Sequence, residues 1–201
     1  MTARRDRPDY YSRRARQEQF ASRAVYKLAD IDRKYRLFQP GQRVLDLGCA
    51  PGSWLQYLTT RLGAHGLVLG VDQQPLPITP VQPVVFLQAD IITLTPDEVR
   101  SYAPVFDAVL SDLAPATSGI KDVDHQRSLT LARRAWEFAR VLLARGGHFL
   151  VKVFAGPDFQ TFVGELKPYF QDVVIIKPVA SRKESREIYV LGYRRRMEPQ
   201  A

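Results

Sequence analysis

The sequence predicts an α/β fold: a mostly parallel, doubly wound sheet of seven strands, helices on both faces, and a last strand that runs antiparallel. Three observations lead there. Short apolar runs alternate with longer amphipathic ones along most of the chain, the order that builds strand–helix–strand units. The run Val44-Leu45-Asp46-Leu47-Gly48-Cys49-Ala50-Pro51-Gly52-Ser53-Trp54 is an apolar strand ending in an acid, followed by a tight turn that opens a helix. The last two strands are separated by only about ten residues with no helical pattern, too few for a helical crossover and enough for an antiparallel return.

Taken in order, residues 1–18 are polar and Arg-rich and read as a basic, mobile segment. A helix over about 20–36 carries Ala24, Val25, Leu28, Ile31 and Tyr35 at helical spacing, with Arg23, Lys27 and Lys34 near another face. Strands follow at about 43–47, 67–71, 84–88, 106–110 and 147–153, with helices at about 53–62, 96–101 and 124–144. Thr95-Pro96-Asp97-Glu98 is a good start for the second of these helices, with proline at its first position. A helix near 158–168 and strands near 172–176 and 187–193 complete one domain over 19–193, leaving 194–201 as a basic tail.

Composition narrows the function. With 201 residues, 45% of them hydrophobic, the chain makes one domain with a proper core. It has no apolar run near ~18 residues and no apolar signal-peptide core, so neither a membrane span nor secretion is expected. The single cysteine, Cys49, rules out an internal disulfide framework and a cysteine-based zinc cage; it fills space in the turn. His65, His125 and His148 have no metal-ligand spacing, and no metal is expected. A cytoplasmic monomer is the expectation.

Charge is segregated. Residues 1–43 hold twelve Lys/Arg against five Asp/Glu, residues 44–176 ten against thirteen, and residues 177–201 seven against three, within a net charge of +8. Basic ends around a mildly acidic middle fit a phosphate-rich partner better than a uniformly solvated surface. Arg23, Lys34, Arg182, Lys183 and Arg186 are candidate RNA-backbone contacts, of the kind that set position rather than sequence.

The strand–turn–helix brings backbone N–H groups and a helix N-terminus against a ligand. Gly48 to Gly52 lacks the G-x-G-x-x-G of a dinucleotide site; an acid two residues before the first glycine suits S-adenosylmethionine instead. Asp46, Asp72, Asp90 and Asp112 end or follow successive strands, and Lys152 lies at the end of the fifth. In an open parallel sheet these positions converge on the carboxyl edge. If the last strand is antiparallel, its opening residue Glu187 joins them. Strand-end aspartates also serve as turn and cap residues. Lys152 is harder to dismiss, because it interrupts Phe149-Leu150-Val151 and Val153-Phe154, where a charge is costly unless paired.

These residues resemble the RrmJ/FtsJ ribosomal RNA 2′-O-methyltransferases of the large-subunit methyltransferase E type. The resemblance runs from about Ser22 to Tyr193 through five motifs in order: Ser22-Arg23-Ala24-Val25-Tyr26-Lys27-Leu28, Asp46 to Trp54, Ser111-Asp112-Leu113-Ala114-Pro115, Lys152-Val153-Phe154 and Ser185-Arg186-Glu187-Ile188-Tyr189. It implies a Rossmann-like class I methyltransferase fold and a catalytic tetrad of Lys27, Asp112, Lys152 and Glu187. It implies S-adenosylmethionine as cofactor, contacted at Asp46, Gly48, Pro51, Gly52, Trp54, Asp72, Asp90 and Asp112. It also implies a uridine ribose in large-subunit rRNA as target, on the assembled large ribosomal subunit.

In that chemistry Lys152 is the general base or the cation that activates the 2′-oxygen. A lysine pKa near ~10.4 must fall for the first role; Lys27 favours that fall, and Asp112 and Glu187 oppose it. The residues therefore leave both roles open. Asp112-Leu113-Ala114-Pro115 lacks the Pro-Pro-aromatic run of adenine amino-methylation, and the only cysteine lies in the cofactor turn rather than serving carbon-5 chemistry. tRNA methylation, and a non-catalytic RNA-binding assembly factor on the same scaffold, are the alternative functions.

Overall fold

The chain is described by a computed structural model over residues 10–181 and 185–197. Its strands are β1 (Arg43–Leu47), β2 (Leu67–Asp72), β3 (Val84–Gln88), β4 (Phe106–Ser111), β5 (Leu143–Phe154), β6 (Phe170–Ile176) and β7 (Glu187–Arg195). They form one sheet in the order β3-β2-β1-β4-β5-β7-β6. Pairing is parallel from β3 through β5, and β7 runs antiparallel to both β5 and β6. The short last connection thus does what its length predicts.

Central strands are covered on both faces, as parallel strands require, and side-chain alternation divides them into two cores. Leu45, Leu47, Val71, Val109, Phe149 and Val151 pack on one face against α4 (Pro96–Arg100), α5 (Lys121–Leu142) and α6 (Phe159–Leu166). Trp136 of α5 sits within this core, its ring 5.5 Å from that of Phe149. Val44, Val68, Ala108, Leu110, Leu150 and Tyr189 pack on the other face against α2 (Ala24–Tyr35) and α3 (Ser53–Leu62). Asp46, Lys152 and Tyr189 share the parity of that second set, so they face α2 and α3.

Two elements differ from the sequence reading. Helix α5 stops at Leu142 and β5 begins at once with Leu143, which pairs with Phe106 before the register shifts toward Ala108–His148. The shift follows from Gly146, at φ +76°, and Gly147, where a Cβ would lie 2.7 Å from the Asp107 carbonyl. The local sequence looks like a helix end, and the bulge makes it a strand. Residues Tyr10–Gln17, within the segment read as mobile, form helix α1. Its buried Ala15 and tertiary contacts hold it: Tyr11 stacks 5.6 Å from Tyr26, Arg14 lies over the Tyr26 ring, and the Tyr26 hydroxyl donates to Glu18 at 2.9 Å.

Helix α2 is fastened at its far end by Asp32, 2% exposed. One carboxylate oxygen accepts from the Leu37 and Phe38 N–H groups, and the other accepts from the Tyr57 hydroxyl and pairs with Arg61 at 2.9 Å. This fixes the helix that delivers Lys27 to the sheet edge.

Candidate active site

The turn after β1 is built around two glycines in the left-handed region, Gly48 (φ +82°) and Gly52 (φ +104°). Gly48 and Cys49 both donate backbone N–H groups to the Val71 carbonyl, and the Ala50 N–H donates to Asp72 Oδ2 at 2.9 Å. The other Asp72 oxygen accepts from the Gln74 N–H at 2.8 Å. Asp72 therefore ties the β1 turn to the turn after β2. Asp90 makes an equivalent turn after β3, accepting the Ile92 N–H at 2.9 Å. Together with Gly48, Asp112 and Leu113, these residues line a cavity of about 600 Å³ at the carboxyl edge. Gly52 and Trp54 start α3 beside it. A Cβ on Gly52 would meet Ile78 at 2.3 Å. The Trp54 indole, 2% exposed, packs 6.0 Å from the Tyr189 ring and donates to the Ala24 carbonyl of α2. Pro51 follows Ala50 through a cis peptide.

Asp46 is fully buried, and neither carboxylate oxygen has a partner among the described residues. Burial, then the charges of Asp112 and Asp72, push its pKa well above the ordinary carboxylate value. An acid whose folded pKa is raised binds its proton more tightly folded than unfolded. The stability it allows at low pH is then lost as pH rises from the unfolded pKa of ~3.9 toward the folded one. Asp46→Asn keeps the shape and removes the ionisation, so its melting temperature is expected to exceed that of the wild type at pH 8. The gap should close by pH 4 in melts recorded across that range. A gap independent of pH would show that Asp46 ionisation plays no part.

Asp112, Lys152 and Glu187 converge as strand direction predicts, and Lys27 of α2 joins them. Lys27 Nζ donates to Glu187 Oε2 at 2.7 Å. Lys152 Nζ lies 3.1 Å from Asp112 Oδ1 and 4.0 Å from Glu187 Oε1, and it donates to the Asp112 carbonyl at 2.6 Å. Lys27 and Lys152 are buried, at 6% and 5% exposure, while the two acids are partly open. Burial opposes ionisation of Glu187, but the hydrogen bond from Lys27 and the charges of Lys27 and Lys152 outweigh it, leaving its pKa below the ordinary value.

Tyr189 belongs to this group and escaped the sequence reading. Its hydroxyl donates to Asp112 Oδ1 at 2.5 Å, and it sits opposite Lys152 in the β5–β7 register. It is fully buried, and burial followed by the Asp112 charge raises its pKa well above the ordinary phenol value. The signal was its position two residues after Glu187, on the same strand face. A phenol donating to Asp112 weakens that carboxylate's hold on the neighbouring ammonium.

The remaining titratable groups lie elsewhere. Cys49 is buried and its thiol pKa is pushed up by desolvation, which makes it a poor nucleophile. His148 is held neutral, its pKa lowered to about 4 by burial and by Arg194. His125 is fully buried in a clamp, with Nδ1 on the Phe154 carbonyl at 2.8 Å and Nε2 accepting the Asp158 N–H at 3.2 Å. No group of three or more His, Cys, Asp or Glu among the described residues is placed to hold a metal. Nor is any described helix long and apolar enough to cross a membrane.

Of the RNA-contact candidates, Lys34 lies 5.1 Å over the Tyr35 ring, and Arg23 precedes α2. Arg186 donates to the Lys121 carbonyl at 3.0 Å and the Ala155 carbonyl at 2.7 Å, stapling the start of α5 to the end of β5 beside Glu187. Arg182 and Lys183 lie outside the described residues.

Residues 20–195 match the profile of the FtsJ-like methyltransferase family. The chain belongs to that family. It is 44% identical over 187 residues to the ribosomal RNA large subunit methyltransferase E of Bdellovibrio bacteriovorus, covering 92% of this chain and 95% of that one. It is 46% identical over 192 residues to the protein of the same name from Syntrophobacter fumaroxidans, covering 94% and 96%. The fold is similar, at TM-score 0.77 and 30% identity, to a crystal structure from Plasmodium falciparum provisionally assigned as a ribosomal RNA methyltransferase, covering 88% of this chain and 98% of that one.

An FtsJ-like methyltransferase needs a methyl donor, and the cavity fits a nucleoside-bearing one. Gly48 leaves no room for a Cβ, which would lie 2.9 Å from Leu113 Cδ2. The carboxylates of Asp72, at the end of β2, and Asp90, just after β3, stand in the cavity wall, and Asp112 joins this cavity to Lys152.

Proposed function

We propose that this methyltransferase places the methyl group of S-adenosylmethionine on the 2′-oxygen of a uridine ribose in large-subunit rRNA, presented on the assembled large ribosomal subunit. The observation that carries the reading is the Lys27–Glu187 and Lys152–Asp112 pairing, which meets the carboxyl-edge cavity of about 600 Å³ through Asp112. The names of the two bacterial relatives support the substrate. Residues 19–193 act as the single catalytic domain, in the cytoplasm and as a monomer.

When bound, S-adenosylmethionine supplies an electrophilic methyl on a sulfonium. Asp72 would hold its ribose, Asp90 its base, Asp46, Gly48, Pro51 and Gly52 the turn against it, Trp54 the head of α3, and Asp112 the reacting end. The chain's own task is to orient the hydroxyl and take its proton. Lys152 Nζ takes up the proton that the 2′-hydroxyl gives up. Asp112, through its side chain and carbonyl, aims Nζ. Glu187 is occupied by Lys27, and together they would position the ribose.

The test offers labelled S-adenosylmethionine with undermethylated large subunits, free rRNA and tRNA side by side. The expected result is label in the subunit's rRNA, recovered as a 2′-O-methyl uridine. Label in tRNA alone would overturn the substrate. Cofactor binding without transfer to any acceptor would overturn the catalytic reading in favour of a binding factor.

A further inference from the structure

Helix α2 presents Lys27 inward to the tetrad, and its outer surface floors a second, larger depression. This groove, about 1230 Å³, runs from α1 across α2 to the segment after β6 and shares no lining residue with the carboxyl-edge cavity. Six basic side chains line it, Arg14, Arg33, Lys34, Arg36, Arg61 and Lys177, against Glu18, Asp30 and Asp32. Each acid is already taken. Glu18 pairs with Arg14 at 2.7 Å, Asp30 pairs with Arg33, and Asp32 pairs with Arg61 at 2.9 Å. The surplus is Lys34, Arg36 and Lys177, none of which has a carboxylate partner among the described residues. Lys34 rests on the Tyr35 ring and Lys177 donates to the Ser185 carbonyl.

The origin of these residues gives the groove its meaning. Four of the basic side chains come from the +7 block at residues 1–43, and Lys177 from the +4 block at 177–201. The acid-biased middle contributes Arg61 and no carboxylate to the lining. The fold therefore brings four basic residues of the N-terminal block and Lys177 together on one face, apart from Lys27 and Glu187. A merely solvated face would mix signs; here the acids are consumed internally and an uncompensated positive strip is left.

We infer that this groove is a second RNA-backbone site, gripping phosphodiesters that flank the target nucleotide. The inference rests on RNA being the substrate. Lys34 and Arg36 lie seven and nine residues beyond Lys27, about 10–14 Å along the helix at ~1.5 Å per residue. They are too far to touch the reacting ribose, and well placed for phosphates of neighbouring nucleotides. Point-charge and guanidinium contacts of this kind hold register without reading bases, so the site adds affinity for RNA of any sequence that continues past the target.

The test is binding of a labelled rRNA fragment to wild type and to the K34E/R36E/K177E triple variant, by fluorescence anisotropy over a salt series. Each phosphate contact contributes about 0.7 to 0.9 to the slope of log affinity on log salt. Loss of three contacts should make the slope shallower by about 2. In the same variant kcat/KM on undermethylated large subunits should fall at least tenfold at about 150 mM salt. S-adenosylmethionine affinity, read by calorimetry, should stay within twofold of wild type, which also certifies the fold. If the variant misfolds, K34Q/R36Q/K177Q serves instead, with the same shallower slope expected. An unchanged slope and unchanged kcat/KM would make the groove a solvated face and overturn the inference. An unchanged slope on naked RNA with weaker binding to whole subunits would assign the groove to an acidic protein surface, and overturn it too. Should wild type neither bind nor methylate any RNA, the substrate reading itself falls, a result distinct from both.

Discussion

Lys152→Ala is expected to lower kcat/KM by about a thousandfold, within the range for removing a positioned acid–base group, while leaving S-adenosylmethionine binding and the fold intact. The geometry makes the prediction specific. Lys152 Nζ is 5% exposed and touches Asp112 through two oxygens, the side chain at 3.1 Å and the backbone carbonyl at 2.6 Å. Its aim is therefore set by the same residue that borders the cofactor cavity. The charges around it almost balance. Glu187 is drawn to Lys27 at 2.7 Å and stands 4.0 Å from Lys152, and Asp112 shares its Oδ1 with the Tyr189 hydroxyl. Both acids are thus partly satisfied by other donors. Lys152→Arg separates the two roles. Arginine keeps the charge and gives up no proton near neutrality, so it should stay as inactive as alanine if Lys152 is the base. Single-turnover rates with saturating cofactor across pH 6–9 measure this, and recovery of rate by arginine would assign Lys152 to cationic steering.

Much of this site could be read before the fold was known, for a physical reason. In a parallel sheet the direction of each strand is fixed by its connections, so the residue at a strand's carboxyl end has a known edge. Asp112 and Lys152 follow from that rule, and Glu187 follows from the short β6–β7 connection that reverses the last strand. Pairwise register is a different matter. Tyr189 reads as an ordinary apolar strand residue, and only the alignment of β5 with β7 shows its hydroxyl reaching Asp112. Arg186 reads as a surface cation, whereas the structure spends it on the carbonyls of Lys121 and Ala155. Helix α1 was illegible because YYSRRARQ is only eight residues long and strongly polar, and it is held by Tyr26, sixteen residues after its first residue. Local propensity shows what a segment favours alone; these three features depend on what it meets.

Gly48→Val is expected to weaken S-adenosylmethionine binding at least a hundredfold. Two costs act together. Gly48 sits at φ +82°, a conformation that costs a residue with a Cβ roughly 1–2 kcal/mol, with β-branched side chains the least tolerated. The added Cβ would also lie 2.9 Å from Leu113 Cδ2 and 3.0 Å from the Leu113 backbone nitrogen. The side chain can rotate away from such a contact, but the backbone can move only by shifting the segment after β4. That segment carries Leu113 on the cavity wall and begins at Asp112, whose N–H is held by the Leu47 carbonyl at 3.1 Å. Displacing it widens the distance between the cofactor wall and the Lys152 aim at once, so kcat should fall along with affinity. Strain of about 2–3 kcal/mol also lowers the melting temperature of a chain this size by about 4–12 °C. Calorimetry for cofactor affinity and thermal melts of the free protein measure the two parts separately. Gly48→Ala should fall between wild type and valine in both, because it brings the Cβ contact without the branched side chain. A valine variant that binds S-adenosylmethionine with wild-type affinity would mean that the turn after β1 does not cradle the cofactor, and the ligand would have to be sought at another edge of the sheet.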